Sequence, residues 1–197
     1  MADDMKIEAI FIDRDGTINQ KRGEADIIEW KKFKFLKKSI DAIKIFNSLK
    51  LPVIVVTNQP AVAKGFCTIN DIKKMNKKME YELRRNGAKV SAIYFCPHHP
   101  EKGWPGENKR YKIKCSCRKP KIGMLLKAKK RFKLNLKNCF MIGDTTTDIK
   151  TGLNAGCKTI LVKTGKGGRD GKFKVKPHYV CSNLYQAARL IQKMMKK

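Results

Sequence analysis

Acidic side chains are scarce in this chain: 17 Asp and Glu stand against 45 Lys and Arg, and histidine occurs three times. The deficit leaves a formal charge of +28, which draws nucleic acid, anionic membranes and acidic substrates alike. Neither a recognisable nucleic-acid reader pattern nor a series of aromatic stacking residues accompanies that charge. The basic residues are 36 Lys and 9 Arg strung along the whole chain, as in Lys34, Lys37, Lys38, Lys73, Lys74, Lys77, Lys78, Lys129 and Lys130. That distribution reads as solvated helix faces, so a small anionic metabolite is the expected partner and nucleic acid the alternative. Long apolar runs are missing too. None approaches the roughly 18 to 20 residues that span a bilayer, and Met1 to Ile12 has neither the regions nor the cleavage site of a signal peptide. A cytoplasmic protein without membrane partners is expected. Internal repeats are absent, and the one linker-like stretch is the polar run Lys163 to Lys176. With 197 residues, 42% of them hydrophobic and 31% charged, the chain has the apolar content of a folded protein and the length of a single domain, 1–197, expected to act as a monomer.

Five short β-branched runs recur, each followed by turn residues and then a stretch with helical spacing: Ile7 to Ile12, Val53 to Thr57, Val90 to Phe95, Cys139 to Ile142 and Thr159 to Val162. Helices are predicted near Ser39 to Lys50, Ile69 to Asn86, Ile122 to Lys133, Asp148 to Ala155 and Leu184 to Met195, with Ser39, Asn70 and Asp71 as candidate caps. This alternation predicts an α/β fold, a Rossmann-like parallel sheet with helices on both faces. In such a sheet ligands bind beyond the carboxyl ends of the strands, and every chemically suggestive motif falls there.

The first strand runs into Asp13-Arg14-Asp15-Gly16-Thr17. Two carboxylates two residues apart at a strand end can serve as nucleophile and acid/base or as metal ligands, and Gly16 permits a tight turn that brings amides near a phosphate. A solvated Asp-Gly turn is the plainer reading. The second strand delivers Thr57-Asn58-Gln59, the fourth Gly143-Asp144-Thr145-Thr146-Thr147-Asp148, and between them lies the cationic pair Arg118-Lys119 before Pro120.

The seven cysteines are an odd number, and three of them cluster with histidine in Cys96-Pro97-His98-His99-Pro100 and Cys115-Ser116-Cys117. Cys96, His98, Cys115 and Cys117 can close a tetrahedral zinc site, structural because it leaves no position for water. His99 is the rival imidazole. Cys67, Cys139, Cys157 and Cys181 lie scattered in apolar or helical contexts and read as small core residues.

A hydroxyl, a cation and two acidic turns in this order resemble the motif series of the haloacid dehalogenase superfamily of phosphatases. The zinc loop and Asp13-Arg14-Asp15-Gly16-Thr17-Ile18-Asn19 narrow the likeness to the D-glycero-D-manno-heptose 1,7-bisphosphate phosphatases and their relatives, the histidinol-phosphate phosphatases. The resemblance runs from about Ile10 to Thr164. It implies that Asp13 attacks phosphorus to form an aspartyl-phosphate, that Asp15 protonates the leaving oxygen and later activates water, and that Thr57 and Lys119 hold the transferring group. Asp13, Asp15 and Asp144 would gather around one point, where two carboxylates about 4 Å apart repel by roughly 4 kcal/mol at an effective dielectric near 20. Mg²⁺ is therefore expected alongside Zn²⁺. Asp148 has two readings, an orienting carboxylate for Lys119 or for a metal-bound water, or the N-cap of the next helix. Lys21, Arg22, Gly23 and Glu24 correspond to the segment that contacts the sugar, and Asn58 and Arg118 would also meet substrate. The 44-residue step from Asp13 to Thr57 implies the absence of a large cap domain. Two departures stand out: Thr145 occupies the place of a substrate-touching lysine, and Pro60-Ala61 that of Ser-Gly. The implied reaction is hydrolysis of a sugar bisphosphate at the 7-phosphate. The long zinc loop favours it over histidinol phosphate, and a nucleic-acid 3′-phosphate is the alternative from another class.

Overall fold

Each β-branched run forms a strand. A computed structural model describes residues 6–21 and 27–196. β1 is Ala9–Ile12, β2 Val53–Asn58, β3 Ala92–Cys96, β4 Cys139–Gly143, β5 Lys158–Val162 and β6 Tyr179–Cys181. They pair in parallel in the order β3-β2-β1-β4-β5-β6. Five helices join them: α1 (Ser39–Ser48), α2 (Ile69–Arg85), α3 (Gly123–Phe132), α4 (Thr146–Asn154) and α5 (Leu184–Met194). Among the described residues, the β1–β2 connection carries only a single 3-10 turn, Trp30–Lys32, and α1, so no large cap interrupts it.

Strand alternation sorts the core into two layers. Ile10, Ile12, Val53, Val55, Phe140 and Ile142 face one side, where Ile43 and Phe46 of α1, Met75, Met79 and Leu83 of α2, and Leu184 and Ile191 of α5 cover them. Ala9, Phe11, Ile54, Val56 and Met141 face the other, against Met124, Leu125 and Ala128 of α3. Helices lie on both faces, as the pattern predicts. In α2 the inward residues Ile72, Met75, Asn76, Met79 and Leu83 recur at helical spacing; Lys73, Lys74, Lys77 and Lys78 point outward and are exposed.

Some local expectations are corrected. The N-cap of α2 is Thr68, whose hydroxyl accepts from the Asp71 N–H while the Asp71 carboxylate accepts from the Thr68 N–H. Asn70 and Asp71 are thus helical residues, and Asp71 closes a capping box. Ser39 begins α1 but does not cap it; Lys38, at φ 61, precedes it without a side-chain cap. α4 starts two residues before Asp148 because Thr145 is its N-cap. β6 was not expected: it is three residues long, and its central Val180 is exposed.

Chain order places the switch point at β1. From β1 the chain moves outward through β2 to β3, then crosses back to β4 on the other side of β1. Loops leaving β1 and β4 therefore diverge, and the crevice between them lies at the carboxyl ends of the strands.

Candidate active site

β1 and β4 pair in register, Ile12 beside Ile142, and the Asp13 N–H continues the ladder to the Ile142 carbonyl at 3.0 Å. The next side chains along each strand are Asp13 and, after Gly143, Asp144. Adjacent parallel strands thus bring two acids from distant sequence to one point, and Asp148 from the first turn of α4 joins them. Each offers a carboxylate oxygen within 4.8 Å of the others, and all three are buried. Burial, with Asp148 and Asp15 nearby and Lys119 opposing, lifts Asp13 to about 6. Burial and the charges of Asp148 and Asp13 lift Asp144 to about 8.

Lys119 is wedged into this centre. Its Nζ lies 2.8 Å from Asp13 Oδ1 and 2.6 Å from Asp148 Oδ1, and donates to the Val56 carbonyl at 2.9 Å. Despite desolvation, the paired charges of Asp13 and Asp148 raise the Lys119 ammonium above its ordinary range. One of the two readings of Asp148 is met and the other corrected: Oδ1 holds Lys119, while Oδ2 accepts from the N–H and hydroxyl of Thr145, the N-cap, at 3.1 and 2.6 Å, closing the capping box of α4. Asp148 is the third residue of that box, not the N-cap.

Asp15 departs from the expected metal set. Its carboxylate accepts from Arg14 Nε and Nη2 at 3.1 and 3.0 Å, Asn19 Nδ2 at 3.0 Å and Gln59 Nε2 at 2.8 Å. The fully buried Arg14 guanidinium, itself bonded to Asn76, turns the Asp15 carboxylate aside, and Asp148 takes its place in the acidic group. Burial opposes ionisation there, but Arg14, Asn19 and Gln59 hold Asp15 below the usual carboxylate range.

Thr57 is buried at the end of β2 and its hydroxyl accepts from Gln59 at 3.1 Å. The Asn58 amide brackets the backbone of Lys119, accepting from its N–H at 3.0 Å and donating to its carbonyl at 3.2 Å. Thr57 and Asn58 line a cleft of about 440 Å³ together with Asp13, Asp15, Lys119 and Asp144. Lys21 and Arg118 line it as well; Arg22, Gly23 and Glu24 lie outside the described residues.

The second constellation closes as expected. Cys96 Sγ is 3.5 Å from Cys115 Sγ and 3.1 Å from Cys117 Sγ; His98 Nδ1 is 3.6 Å from Cys96 and 3.3 Å from Cys117. A tetrahedron with metal–sulfur bonds of about 2.3 Å has edges near 3.7 Å, so this donor set fits zinc. The thiols are packed closely enough to perturb one another: the contact with Cys117 pushes Cys96 up, and its counterpart pulls Cys117 down to about 5. His99 stands outside the set, edge-on to Trp104 at 4.9 Å and lining the cleft. Trp104 straps the zinc loop down, since Lys64 and Lys112 sit over its ring at 5.2 and 4.4 Å and the Asn108 N–H donates to the Ala63 carbonyl.

Sequence reasoning missed one wall. The polar run after β5 is no linker: Lys166, Asp170, Lys172 and Phe173 line the cleft. The Lys166 N–H donates to Asp144 Oδ2 at 2.7 Å, and the Gly168 N–H to the Asp144 carbonyl at 2.8 Å. A Cβ at Gly16 or Gly165 would collide with the Asp144 carboxylate, and both have positive φ, so glycine is required on each side of that acid. The signal available was Thr164-Gly165-Lys166-Gly167-Gly168, a glycine-rich turn directly after a strand.

The acidic centre also fits a metal. Hard oxygen donors are buried there, with three carboxylates meeting at one point and the Lys119 ammonium contacting two of them. Such a site suits a small divalent cation.

A model of the HAD-hydrolase-like family matches residues 116–187. The chain is 35% identical over 190 residues to the D-glycero-beta-D-manno-heptose-1,7-bisphosphate 7-phosphatase of Haemophilus influenzae, covering 96% of this chain and 99% of that one. Against the enzyme of the same name from Escherichia coli K12 it is 35% identical over 161 residues, 81% of each chain. The crystal structure of D,D-heptose 1.7-bisphosphate phosphatase from B. bronchiseptica, complexed with magnesium and phosphate, superposes with a TM-score of 0.82 at 29% identity over 95% of this chain and 99% of that one. Likeness at this level spans whole chains, and the protein belongs to the D-glycero-beta-D-manno-heptose-1,7-bisphosphate 7-phosphatase family of HAD-like phosphatases.

Proposed function

We propose that this phosphatase removes the 7-phosphate of D-glycero-D-manno-heptose 1,7-bisphosphate, with Asp13 as the nucleophile. The observation that carries the reading is the meeting of Asp13, Asp144 and Asp148 at adjacent strand ends with Lys119 between two of them. Asp13 and Asp144 would hold Mg²⁺, because both oxygens of Asp148 are already committed to Lys119 and to the start of α4. When bound, the ion would neutralise the acids and polarise the phosphoryl oxygens.

In the first half-reaction an Asp13 carboxylate oxygen bonds to phosphorus as the bond to the leaving oxygen breaks, and that oxygen takes a proton from Asp15. In the second, water attacks the same phosphorus and gives a proton back to Asp15. Phosphate leaves and Asp13 is restored. Asp15 is held ionised by Arg14, Asn19 and Gln59, which suits the second half. A phosphate dianion entering beside it raises its proton affinity, as like charge does, and so prepares the first. Lys119 and Thr57 neutralise and position the transferring group. Zinc at Cys96, His98, Cys115 and Cys117 would fix the loop that ends in Arg118 and Lys119.

Phosphate release should be measured on the heptose bisphosphate, histidinol phosphate and a 3′-phosphorylated oligonucleotide. The bisphosphate is expected to be turned over best, and Asp13→Asn to abolish turnover with the fold intact, because a neutral amide does not attack phosphorus. Residual activity of that variant within about tenfold of the parent would overturn the nucleophile assignment; faster turnover of either other substrate would overturn the substrate.

A further inference from the structure

Helix α2 buries one polar side chain along with its apolar stripe. Its inward residues are Ile72, Met75, Asn76, Met79 and Leu83, and Asn76 is 6% exposed. An amide in that company costs stability unless it is hydrogen-bonded, and its Oδ1 accepts from Arg14 Nη1 at 3.0 Å across 62 residues of sequence. Arg14 is itself fully buried, which is rare for arginine unless its charge is paired. Its other edge grips Asp15: Nε donates to Oδ1 at 3.1 Å and Nη2 to Oδ2 at 3.0 Å. The guanidinium is a rigid plane, so contacts at Nε, Nη2 and Nη1 together fix that plane and its rotation, and with them the Asp15 carboxylate. Asn19 and Gln59 add one donor to each Asp15 oxygen, at 3.0 and 2.8 Å. Asp15 borders the cleft, whereas Arg14 and Asn76 are not among the described residues that line it.

We infer that Asn76 is a positioning residue for the reaction: acting through Arg14, it holds the Asp15 carboxyl in the orientation from which the leaving oxygen takes its proton. This role rests on the reading of Asp15 as the general acid and deepens it. As the bond between phosphorus and the leaving oxygen breaks, the electron pair stays on that oxygen and the proton passes to it from Asp15. Such a transfer depends on aim, and misplacing a reacting group by about 1 Å can cost about 10²-fold in rate. A guanidinium bonded along one edge can still swing as one body with its carboxylate. The Asn76 carbonyl stops that swing from the far side, on a helix packed into the same core as β1. Asn76 thus governs proton delivery from behind the site, without a contact to substrate.

The test compares kcat/KM of the full chain with Mg²⁺ on two monoesters: p-nitrophenyl phosphate, whose nitrophenolate departs without a proton, and benzyl phosphate, whose alkoxide does not. This ratio covers the steps up to departure of the leaving group, and so omits the later use of Asp15 toward water. Asn76→Leu keeps the size of the side chain and removes the acceptor. Its kcat/KM should fall by about tenfold or more on benzyl phosphate and by less than about threefold on p-nitrophenyl phosphate. Asn76→Asp keeps an oxygen for Arg14 and should recover most of the loss. Asn76→Ala, read if Asn76→Leu does not fold, should show the same selective loss. Equal losses on both esters would mean that Asn76 serves only the packing of α2, and no loss on either would mean that Arg14 aims Asp15 unaided. Each overturns the positioning role, as does an Asn76→Asp variant no better than Asn76→Leu. Asp15→Asn is the control for the acid itself, expected to lose about 10²-fold or more on benzyl phosphate and at least about tenfold less than that on the aryl ester. Equal losses there would overturn Asp15 as the acid, whereas a selective loss there with none at Asn76 overturns the positioning role alone.

Discussion

Lys119→Met removes the one ammonium inserted among the buried acids while nearly keeping the side chain's length. In the parent its Nζ contacts Asp13 and Asp148 at 2.8 and 2.6 Å, and the side chain is 3% exposed. Breaking a buried charge pair by deleting one partner costs about 3–5 kcal/mol, because the remaining charge keeps its desolvation penalty. For a chain of this length each kcal/mol moves Tm by about 2–4 °C, so a fall of about 6–20 °C is expected in EDTA at neutral pH. Two further signatures identify the cause. The fall should shrink as the pH drops, since protonated carboxyls no longer need the ammonium, and Mg²⁺ should stabilise the variant more than the parent by replacing the missing positive charge. Phosphate release should drop by about 10²–10³, the scale for losing one preorganised electrostatic contact. A Tm within about 3 °C of the parent in EDTA, with no larger response to Mg²⁺, would show that the buried acids do not depend on this residue and would sink the electrostatic account.

The metal-free parent should itself be pH-sensitive. Asp13 and Asp144 are lifted to about 6 and about 8, so the folded chain keeps protons that the unfolded chain releases near pH 4. Through these groups stability falls as pH rises from about 4 to about 8. The Lys119 contribution, raised above its ordinary range, is present throughout that window, and Asp15, depressed, acts only below it. Thermal melts in EDTA between about pH 5 and about pH 8 check the slope, and Mg²⁺ should flatten it. For the thiol cluster, the purified parent should carry about one zinc per chain; Cys115→Ser should lose it together with about 5 °C or more of Tm. A parent free of zinc on metal analysis would remove that site.

Most of the scaffold was legible because five strands are β-branched runs long enough to alternate, and because their helices carry apolar residues at regular spacing. β6 escaped notice because three residues, the central one exposed, hold too little pattern to distinguish from a loop. The cluster of three thiols and an imidazole that could hold zinc was readable from spacing alone, as soft side chains in a polar loop have little packing reason to cluster. Asp15 falls outside the group formed by Asp13, Asp144 and Asp148 for a tertiary reason: Arg14, between the two acids in sequence, is fully buried and binds the Asp15 carboxylate. Of the two readings of Asp148, the contact with Lys119 is present on one oxygen, whereas the N-cap is Thr145, and the second Asp148 oxygen accepts from it three residues on. The wall after β5 was hidden because lysines and glycines look like a tether until the chain is wound around Asp144.

The in-register pairing of Ile12 with Ile142 has a consequence for how such a protein can change. Neighbouring strands stand about 4.8 Å apart by virtue of peptide hydrogen bonds, so the span between the Asp13 and Asp144 carboxylates is dictated by main-chain geometry and is indifferent to loop length. Insertions and substitutions in the flanking loops can redraw which molecule enters while the two acids keep their spacing, which makes altered substrate choice an accessible outcome of loop mutagenesis and altered reaction type a remote one.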